Sequence, residues 1–102
     1  MIGECQLAGM EPGAFLVNTA RGPLVQERPL IGALNSGRLA GAALDVLERE
    51  PAFDPELVAH PNCLLTPHMA FYSEEAMEEV RVSAARTVLE VLRGAVPRNV
   101  VN

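Results

Sequence analysis

Apolar residues in this 102-residue chain fall into two patterns, short continuous runs and longer stripes with helical spacing. Continuous runs are typical of strands that are covered on both faces, as in a parallel sheet. One such run occurs at 14–17, and similar buried-strand patterns occur at 39–46, where Gly41 interrupts the pattern, and at 62–66. Stripes with a period of about 3.6 residues predict amphipathic helices. These occur at 2–10, 25–36 and 73–94, so the predicted order is helix, strand, helix, strand, loop, strand, helix.

Glycine, proline and polar residues set the predicted ends of the helices. Gly37 stands at the cap position after the second helix. Pro29 is compatible with that helix only in its first turn, which puts the helix start near Gln26 or Glu27. Ser73 is a good N-cap for the last helix, and acidic residues follow it in the first turn.

The alternation of strands with helices predicts an α/β fold. The segment 47–61 contains three prolines, and it is predicted to be a surface loop with one turn near 55–59. Parallel strands joined by crossovers form right-handed units, which build a doubly wound sheet. Ligands of such sheets bind beyond the carboxyl ends of the strands. Polar residues at those ends are therefore the first candidates for function.

Four polar side chains lie at or beyond the carboxyl ends of the predicted strands, namely Arg21, Asp45, Glu50 and His68. A guanidinium can clamp a carboxylate through two parallel hydrogen bonds and polarise a neighbouring carbonyl. An imidazole can donate or accept a proton near neutral pH, and a carboxylate beside it favours the protonated ring and fixes its tautomer. Arg21, Glu50 and His68 therefore predict an enzyme that holds a carboxylate substrate and moves a proton.

Each candidate also has a purely structural interpretation. Arg21 is compatible with a surface ion pair, His68 with a structural histidine, and Glu50 with a solvated loop charge. Asp45 lies in an apolar run and needs polar partners, which a ligand amide, a helix N-terminus or the following loop would supply. His60 is interpreted as a surface residue.

Net charge and cysteine content narrow the class of partner. The net charge of −5, without a basic stripe, argues against nucleic acid and against an anionic membrane surface. Cys5 and Cys63 lack the spacing of a metal site, so no metal is predicted. With neither a signal peptide nor an apolar run that spans a bilayer, the default location is the cytoplasm. The expected partner is a small molecule.

Three sequence motifs occur in order, each at the end of a predicted strand. They are GAFLVNTARG at 13–22, GAALDV at 41–46 leading to EP at 50–51, and TPHMA at 66–70. Together they closely resemble the D-isomer-specific 2-hydroxyacid dehydrogenases, and the resemblance covers essentially the whole chain. AFYSE at 70–74 looks more like the C-terminal-binding-protein branch of that family, which includes transcriptional corepressors as well as enzymes.

The resemblance implies an oxidoreductase that transfers a hydride between NAD(P)H and a 2-oxo acid or D-2-hydroxy acid. By motif, Arg21 binds the substrate carboxylate and carbonyl, His68 is the acid/base, and Glu50 orients and charges His68. The implied cofactor is NAD or NADP, and the implied contacts are Thr19, Ala20, Arg21, Asp45, His68 and Ala70. Among these, Asp45 is expected to hold the nicotinamide end.

The resemblance also implies an incomplete domain. Residues 1–102 correspond to the C-terminal half of a Rossmann-type doubly wound, three-layer nucleotide domain. The sequence contains no Gly-x-Gly-x-x-Gly phosphate loop, and the substrate domain and the first Rossmann half have no counterpart in it. The isolated chain is expected to be inactive and its parent protein to be a homodimer. The alternatives are a non-catalytic, NAD-responsive interaction protein resembling a corepressor, or an inert truncated remnant.

Two further expectations concern stability. In the family that the sequence resembles, an acidic helix cap is usual at the position of Gln26, which predicts a modestly weaker start of the second helix. A sheet that lacks its neighbouring strands exposes an unpaired edge, which predicts self-association.

Overall fold

Three parallel strands and three helices make up residues 1–70, and one long helix makes up most of the remainder. The computed structural model describes residues 1–101 and divides into two compact units after Ala70. The strands are β1 (Ala14–Asn18), β2 (Leu39–Leu44) and β3 (Cys63–Leu65). The helices are α1 (Glu4–Gly9), α2 (Glu27–Asn35), α3 (Pro55–Ala59) and α4 (Glu74–Leu92), with a short 3-10 helix at Gly22–Leu24.

The sheet of the first unit has the strand order β1-β2-β3, and both pairings are parallel. Leu16 pairs with Ala42, and Leu44 pairs with Leu65. The predicted α/β class and the predicted order of elements are therefore confirmed. The turn predicted near 55–59 is the helix α3.

The core of the first unit lies between one face of the sheet and the helices α1, α2 and α3. Leucines from each layer are almost completely buried there: Leu7 in α1, Leu30 in α2, Leu39 in β2 and Leu57 in α3. The apolar stripes of the helices thus meet alternate residues of the strands, as period-2 and period-3.6 patterns require. This packing fixes the direction in which the carboxyl ends of the strands point.

The opposite face of the sheet is not covered by the helices of residues 1–70. Phe15 is 71% exposed, Val17 68% and Leu64 64%. The prediction that the strands are covered on both faces is therefore wrong for this unit. A continuous apolar run shows that both faces suit burial, but it does not show which part of a protein supplies the cover.

The ends of α2 show which capping predictions hold. The helix begins at Glu27, so Pro29 lies in the first turn as predicted, and Gly37 follows the helix with a φ of +71°. The side chain of Gln26 does not cap the helix. Instead the Glu48 carboxylate accepts a hydrogen bond from the Glu27 N–H at 2.9 Å, and the Glu27 carboxylate accepts one from the Glu48 N–H at 2.8 Å. One of the first N–H groups of the helix, that of Glu27, is thus satisfied by a residue 21 positions later.

The second unit contains α4. The hydroxyl of Ser73 accepts a hydrogen bond from the Ala76 N–H at 3.1 Å, which confirms the predicted N-cap. The helix ends at Leu92, shortly before Gly94. Within residues 1–101, no helix combines the length and the apolarity needed to cross a membrane.

Candidate active site

Main-chain hydrogen bonds join the carboxyl ends of the three strands. The Asp45 N–H donates to the Asn18 carbonyl at 2.9 Å, and the Asp45 carbonyl accepts from the His68 N–H at 3.0 Å. The parallel ladder therefore continues past the last residue of each strand. The segments that carry Arg21, Asp45 and His68 consequently meet at one edge of the sheet, as predicted from their positions after strands.

Asn18 shapes the turn that presents Arg21. Its buried side chain donates to the Arg21 carbonyl at 3.0 Å and accepts from the Ala20 N–H at 3.1 Å. Thr19, Ala20 and Arg21 are exposed beyond it. Sequence reasoning missed Asn18, although asparagine at the end of an apolar run is a common former of such turns.

Arg21 is exposed at this edge, and its guanidinium donates to the Ala20 carbonyl at 2.6 Å. Among residues 1–101, the described ion pairs are those of Arg28 with Asp54 and Glu56. The structural alternative for Arg21, a surface ion pair, is therefore not what the structure shows.

Gly22 brings the Arg21 turn against the segment that carries Glu50. A Cβ atom on Gly22 would lie 1.7 Å from the Leu47 carbonyl oxygen, so only glycine permits this approach. The N–H of the same Leu47 donates to the Glu50 carboxylate at 2.8 Å. The segments of Arg21 and Glu50 therefore touch through Leu47.

The predicted pairing of Glu50 with His68 stays a prediction. The described hydrogen bond of Glu50 goes to Leu47, and its side chain is exposed. The carboxylate of Asp45 interacts electrostatically with His68.

Asp45 is only 4% exposed, and its carboxylate binds the loop that carries His68. Oδ1 accepts from the Thr66 hydroxyl at 2.5 Å and from the Met69 N–H at 2.8 Å, and Oδ2 accepts from the Ala70 N–H at 2.8 Å. Burial by itself would raise the pKa of Asp45, but these hydrogen bonds and the nearby His68 outweigh it and lower the pKa. The hydrogen bonds of the Asp45 carboxylate thus hold the loop 66–70, and not the loop that directly follows Asp45 in the sequence.

His68 is exposed and has a backbone conformation that is uncommon for a residue with a side chain. Its φ is +52°, in the left-handed region. Its N–H donates to the carbonyl of Asp45 and also to that of Thr66, each at 3.0 Å. His60, by contrast, accepts a local hydrogen bond from the Asn62 N–H at its Nδ1 atom, away from the strand ends.

The polar groups at this edge fit one end of a dinucleotide. The exposed backbone at 19–20 and the exposed loop 66–70 flank the buried Asp45 carboxylate, which offers polar contacts to an amide. The sequence contains no glycine-rich phosphate loop. Across the described residues 1–101, no group of three or more Asp, Glu, His or Cys side chains is placed to hold a metal ion.

Known proteins that resemble this chain include curated enzymes. A glyoxylate reductase from Thermococcus litoralis is 42% identical over all 102 residues, and the chain covers 31% of that enzyme. A glyoxylate reductase from Pyrococcus furiosus is 44% identical over the same length, of which the chain covers 30%. The chain therefore spans about a third of the length of these relatives.

A solved structure with a bound cofactor resembles the chain as well. It is the NAD-complexed form of a D-isomer specific 2-hydroxyacid dehydrogenase from Lactobacillus delbrueckii ssp. bulgaricus. Its TM-score is 0.78 at 38% identity, and the match covers 100% of this chain and 35% of that protein. None of these relatives is named as a C-terminal-binding protein, so the predicted branch is not confirmed.

The family can be assigned from the first compact unit. The sequence model of the NAD binding domain of D-isomer specific 2-hydroxyacid dehydrogenases matches residues 1–70, the same residues that form this unit. Because this match covers more than half of the chain and includes every candidate site residue, the chain belongs to the D-isomer specific 2-hydroxyacid dehydrogenase family, within its NAD binding domain.

Proposed function

We propose that this chain is the C-terminal part of the NAD(P)-binding domain of an enzyme that interconverts small 2-oxo acids and D-2-hydroxy acids. The observation that carries the proposal is the joining of three strand ends at one edge, where Arg21 and His68 are exposed on either side of buried Asp45. The names of the reductases from Thermococcus and Pyrococcus support glyoxylate as a first substrate to test. They also support the enzyme over the corepressor-like and inert alternatives.

In this proposal each polar group at the edge has one task. The bound cofactor supplies the hydride. Arg21 binds the substrate carboxylate and polarises the 2-oxo group, because its exposed guanidinium can donate two parallel hydrogen bonds. His68 donates a proton to the substrate oxygen during reduction and accepts it during oxidation. Glu50 orients His68 through a carboxylate–imidazole contact.

The cofactor contacts belong to the same edge. Backbone atoms of Thr19 and Ala20 and the carboxylate of Asp45 would hold the nicotinamide end. The Ala70 N–H already donates to Asp45, so Ala70 would contribute its methyl group or its carbonyl. The proposed parent protein is a cytoplasmic homodimer with a separate substrate domain, and the isolated chain is proposed to be inactive.

A chimeric enzyme tests the proposal directly. The aligned segment of the Thermococcus litoralis glyoxylate reductase is replaced by residues 1–102, and oxidation of NADH and NADPH is measured with glyoxylate and hydroxypyruvate. We expect turnover, with His68→Ala lowering kcat by about 100-fold or more because a general acid is lost. Arg21→Ala is expected to raise KM for the oxo acid and to lower kcat.

His60→Ala is the matched control, since His60 bonds locally to Asn62 and lies outside the proposed site. It should leave kcat and KM within about twofold of the unsubstituted chimera. A folded chimera without turnover, or turnover that is indifferent to His68→Ala, would contradict the proposal. Calorimetric titration of the isolated chain with NADH should show weak binding or none.

A further inference from the structure

The loop 66–70 holds His68 in a conformation that its own residues do not favour. The left-handed φ of +52° brings the Cβ atom of a non-glycine residue close to backbone oxygen, so such residues persist only where neighbouring contacts hold them. The loop is exposed, and apolar burial does not provide that restraint. The restraint must come from hydrogen bonds.

Asp45 accepts hydrogen bonds from His68 and from the two residues that follow it. Its main-chain carbonyl accepts from the His68 N–H, and its carboxylate accepts from the next two N–H groups, those of Met69 and Ala70. Three successive amides are thus bound by one buried residue. Asp45 itself is anchored to β1 through its N–H and the Asn18 carbonyl.

Thr66 forms hydrogen bonds that hold the loop at its other end. Its hydroxyl donates to Asp45 Oδ1, its N–H donates to the Leu44 carbonyl, and its own carbonyl accepts from the His68 N–H. The hydroxyl bond fixes the plane of the Asp45 carboxylate, so that Oδ1 faces Met69 and Oδ2 faces Ala70.

We propose that Asp45 and Thr66 are positioning residues for His68: together they lock the loop 66–70 in the left-handed turn that aims the imidazole at the substrate. This role rests on the proposed function, in which His68 transfers the proton. It is compatible with a cofactor contact, because Oδ2 accepts one hydrogen bond, from the Ala70 N–H, and has a second lone pair. A carboxylate is required at position 45, since an asparagine would turn an N–H donor towards one of the two loop amides.

Nuclear magnetic resonance on the 15N-labelled chain tests this. Thr66→Val removes the hydroxyl at nearly constant shape, and Asp45→Asn removes one acceptor. We expect amide exchange at Met69 and Ala70 to accelerate by about tenfold in both variants. The three-bond coupling constant between the amide proton and Hα of His68 should move away from the value typical of a left-handed φ. Thr66→Ser keeps the hydroxyl, so both measurements should return to their values in the unsubstituted chain.

Asp54→Ala is the matched control, because Asp54 also caps a local N–H, that of Glu56, in the same unit, and alanine removes the acceptor. It should accelerate exchange at Glu56 and leave Met69 and Ala70 unchanged. Unchanged exchange at Met69 and Ala70 in Thr66→Val and Asp45→Asn would overturn the proposal. So would equal acceleration throughout residues 1–70, which would indicate general destabilisation.

Kinetic constants distinguish an effect on the position of His68 from an effect on cofactor binding. In the chimeric reductase, Thr66→Val should lower kcat about tenfold while KM for NADH stays within about twofold, and Thr66→Ser should restore kcat. A parallel rise of KM for NADH would contradict a role through His68. If the unsubstituted chimera has no activity, the proposed function fails, whereas the exchange experiment still decides whether Asp45 and Thr66 hold the loop.

Discussion

At the scale of single residues, the site depends on contacts between residues that are far apart in the sequence. Asp45 binds Thr66, Met69 and Ala70, and Gly22 lies against Leu47. Each contact links a strand end to a neighbouring loop. Substitutions at these positions should therefore change the geometry of the site as well as its stability.

Gly22→Ala should destabilise the chain. The new Cβ atom would lie 1.7 Å from the Leu47 carbonyl oxygen, so the two segments would have to separate. We expect the free energy of unfolding to fall by about 1–3 kcal/mol, as for other overpacked sites. Urea denaturation measures this. Gly32→Ala is the control, because Gly32 lies in α2 with no atom within 4 Å of an added Cβ, and it should raise stability by about 1 kcal/mol. Similar losses in both variants would contradict the packing argument.

Asp45 should make the free energy of unfolding depend on pH in the acid range. Burial opposes its ionisation, but the bonds from Thr66, Ala70 and Met69 and the nearby His68 hold its pKa below the ordinary 3.8. The unfolded state then binds the proton more readily, so the stabilising contribution is fully present above pH 3.8 and is lost as the pH falls through the folded-state pKa. The stability difference between the wild type and Asp45→Asn should therefore shrink between pH 7 and pH 2. Denaturation at several pH values measures it, and a constant difference would refute the assignment.

At the scale of elements, helix ends show two ways of satisfying the first N–H groups. In α4 the cap is local, because Ser73 accepts from Ala76 three residues later. In α2 the cap is remote, because Glu48 reaches the Glu27 N–H from the segment after β2. Local caps can be predicted from neighbouring residues, whereas the remote cap depends on how the chain folds back.

Ser73→Ala should weaken the start of α4. Loss of the hydroxyl acceptor leaves the Ala76 N–H unpaired, which costs about 1 kcal/mol of helix stability. Amide exchange at Ala76 and the Cα chemical shifts of the first turn should report fraying there. Ser83→Ala, in the interior of the same helix, should instead increase helicity slightly. Fraying that is equal in both variants would argue against the cap.

At the scale of the whole molecule, the sheet of residues 1–70 has one covered face and one apolar face without cover from the helices of that unit. Exposed contiguous apolar surface of this kind favours association, and the outer edge of β1 is unpaired within the three-stranded sheet. The face and the edge together strengthen the expectation of self-association that the sequence raised.

Val17→Thr combined with Leu64→Thr should reduce self-association. Both side chains are about two-thirds exposed, at 68% and 64%, on the sheet face that the helices of residues 1–70 do not cover. Polar replacements there remove exposed apolar surface and leave the core unchanged. Analytical ultracentrifugation over a range of concentrations should show association of the unsubstituted chain and less of it in the variant. Val25→Thr is the control, since Val25 is buried and its change should lower stability instead. A wild-type chain that is monomeric at every concentration would contradict this expectation.

Much of this protein can be predicted from local pattern. The apolar runs and stripes indicated every strand and the helices α1, α2 and α4 within a few residues, because their periodicity directly reflects which side chains a core can bury. The helix α3 lies in a segment that the prolines indicated as a loop with one turn. Gly37 and Ser73 marked helix ends through conformations and hydrogen bonds that involve only nearby residues. The candidates Arg21, Asp45 and His68 were found by the same logic, since they lie at or shortly after the carboxyl ends of predicted strands.

Other features were decided by tertiary structure. Only folding shows that Asp45 binds the loop of His68, that Glu48 caps α2, and that one face of the sheet lacks cover from its own helices. Sequence periodicity reports whether a residue suits burial, whereas a hydrogen-bond partner many positions away depends on the register and connection of the strands. The elements and the types of reactive residue are therefore local properties of the chain, and the geometry that positions those residues is a property of the assembled sheet.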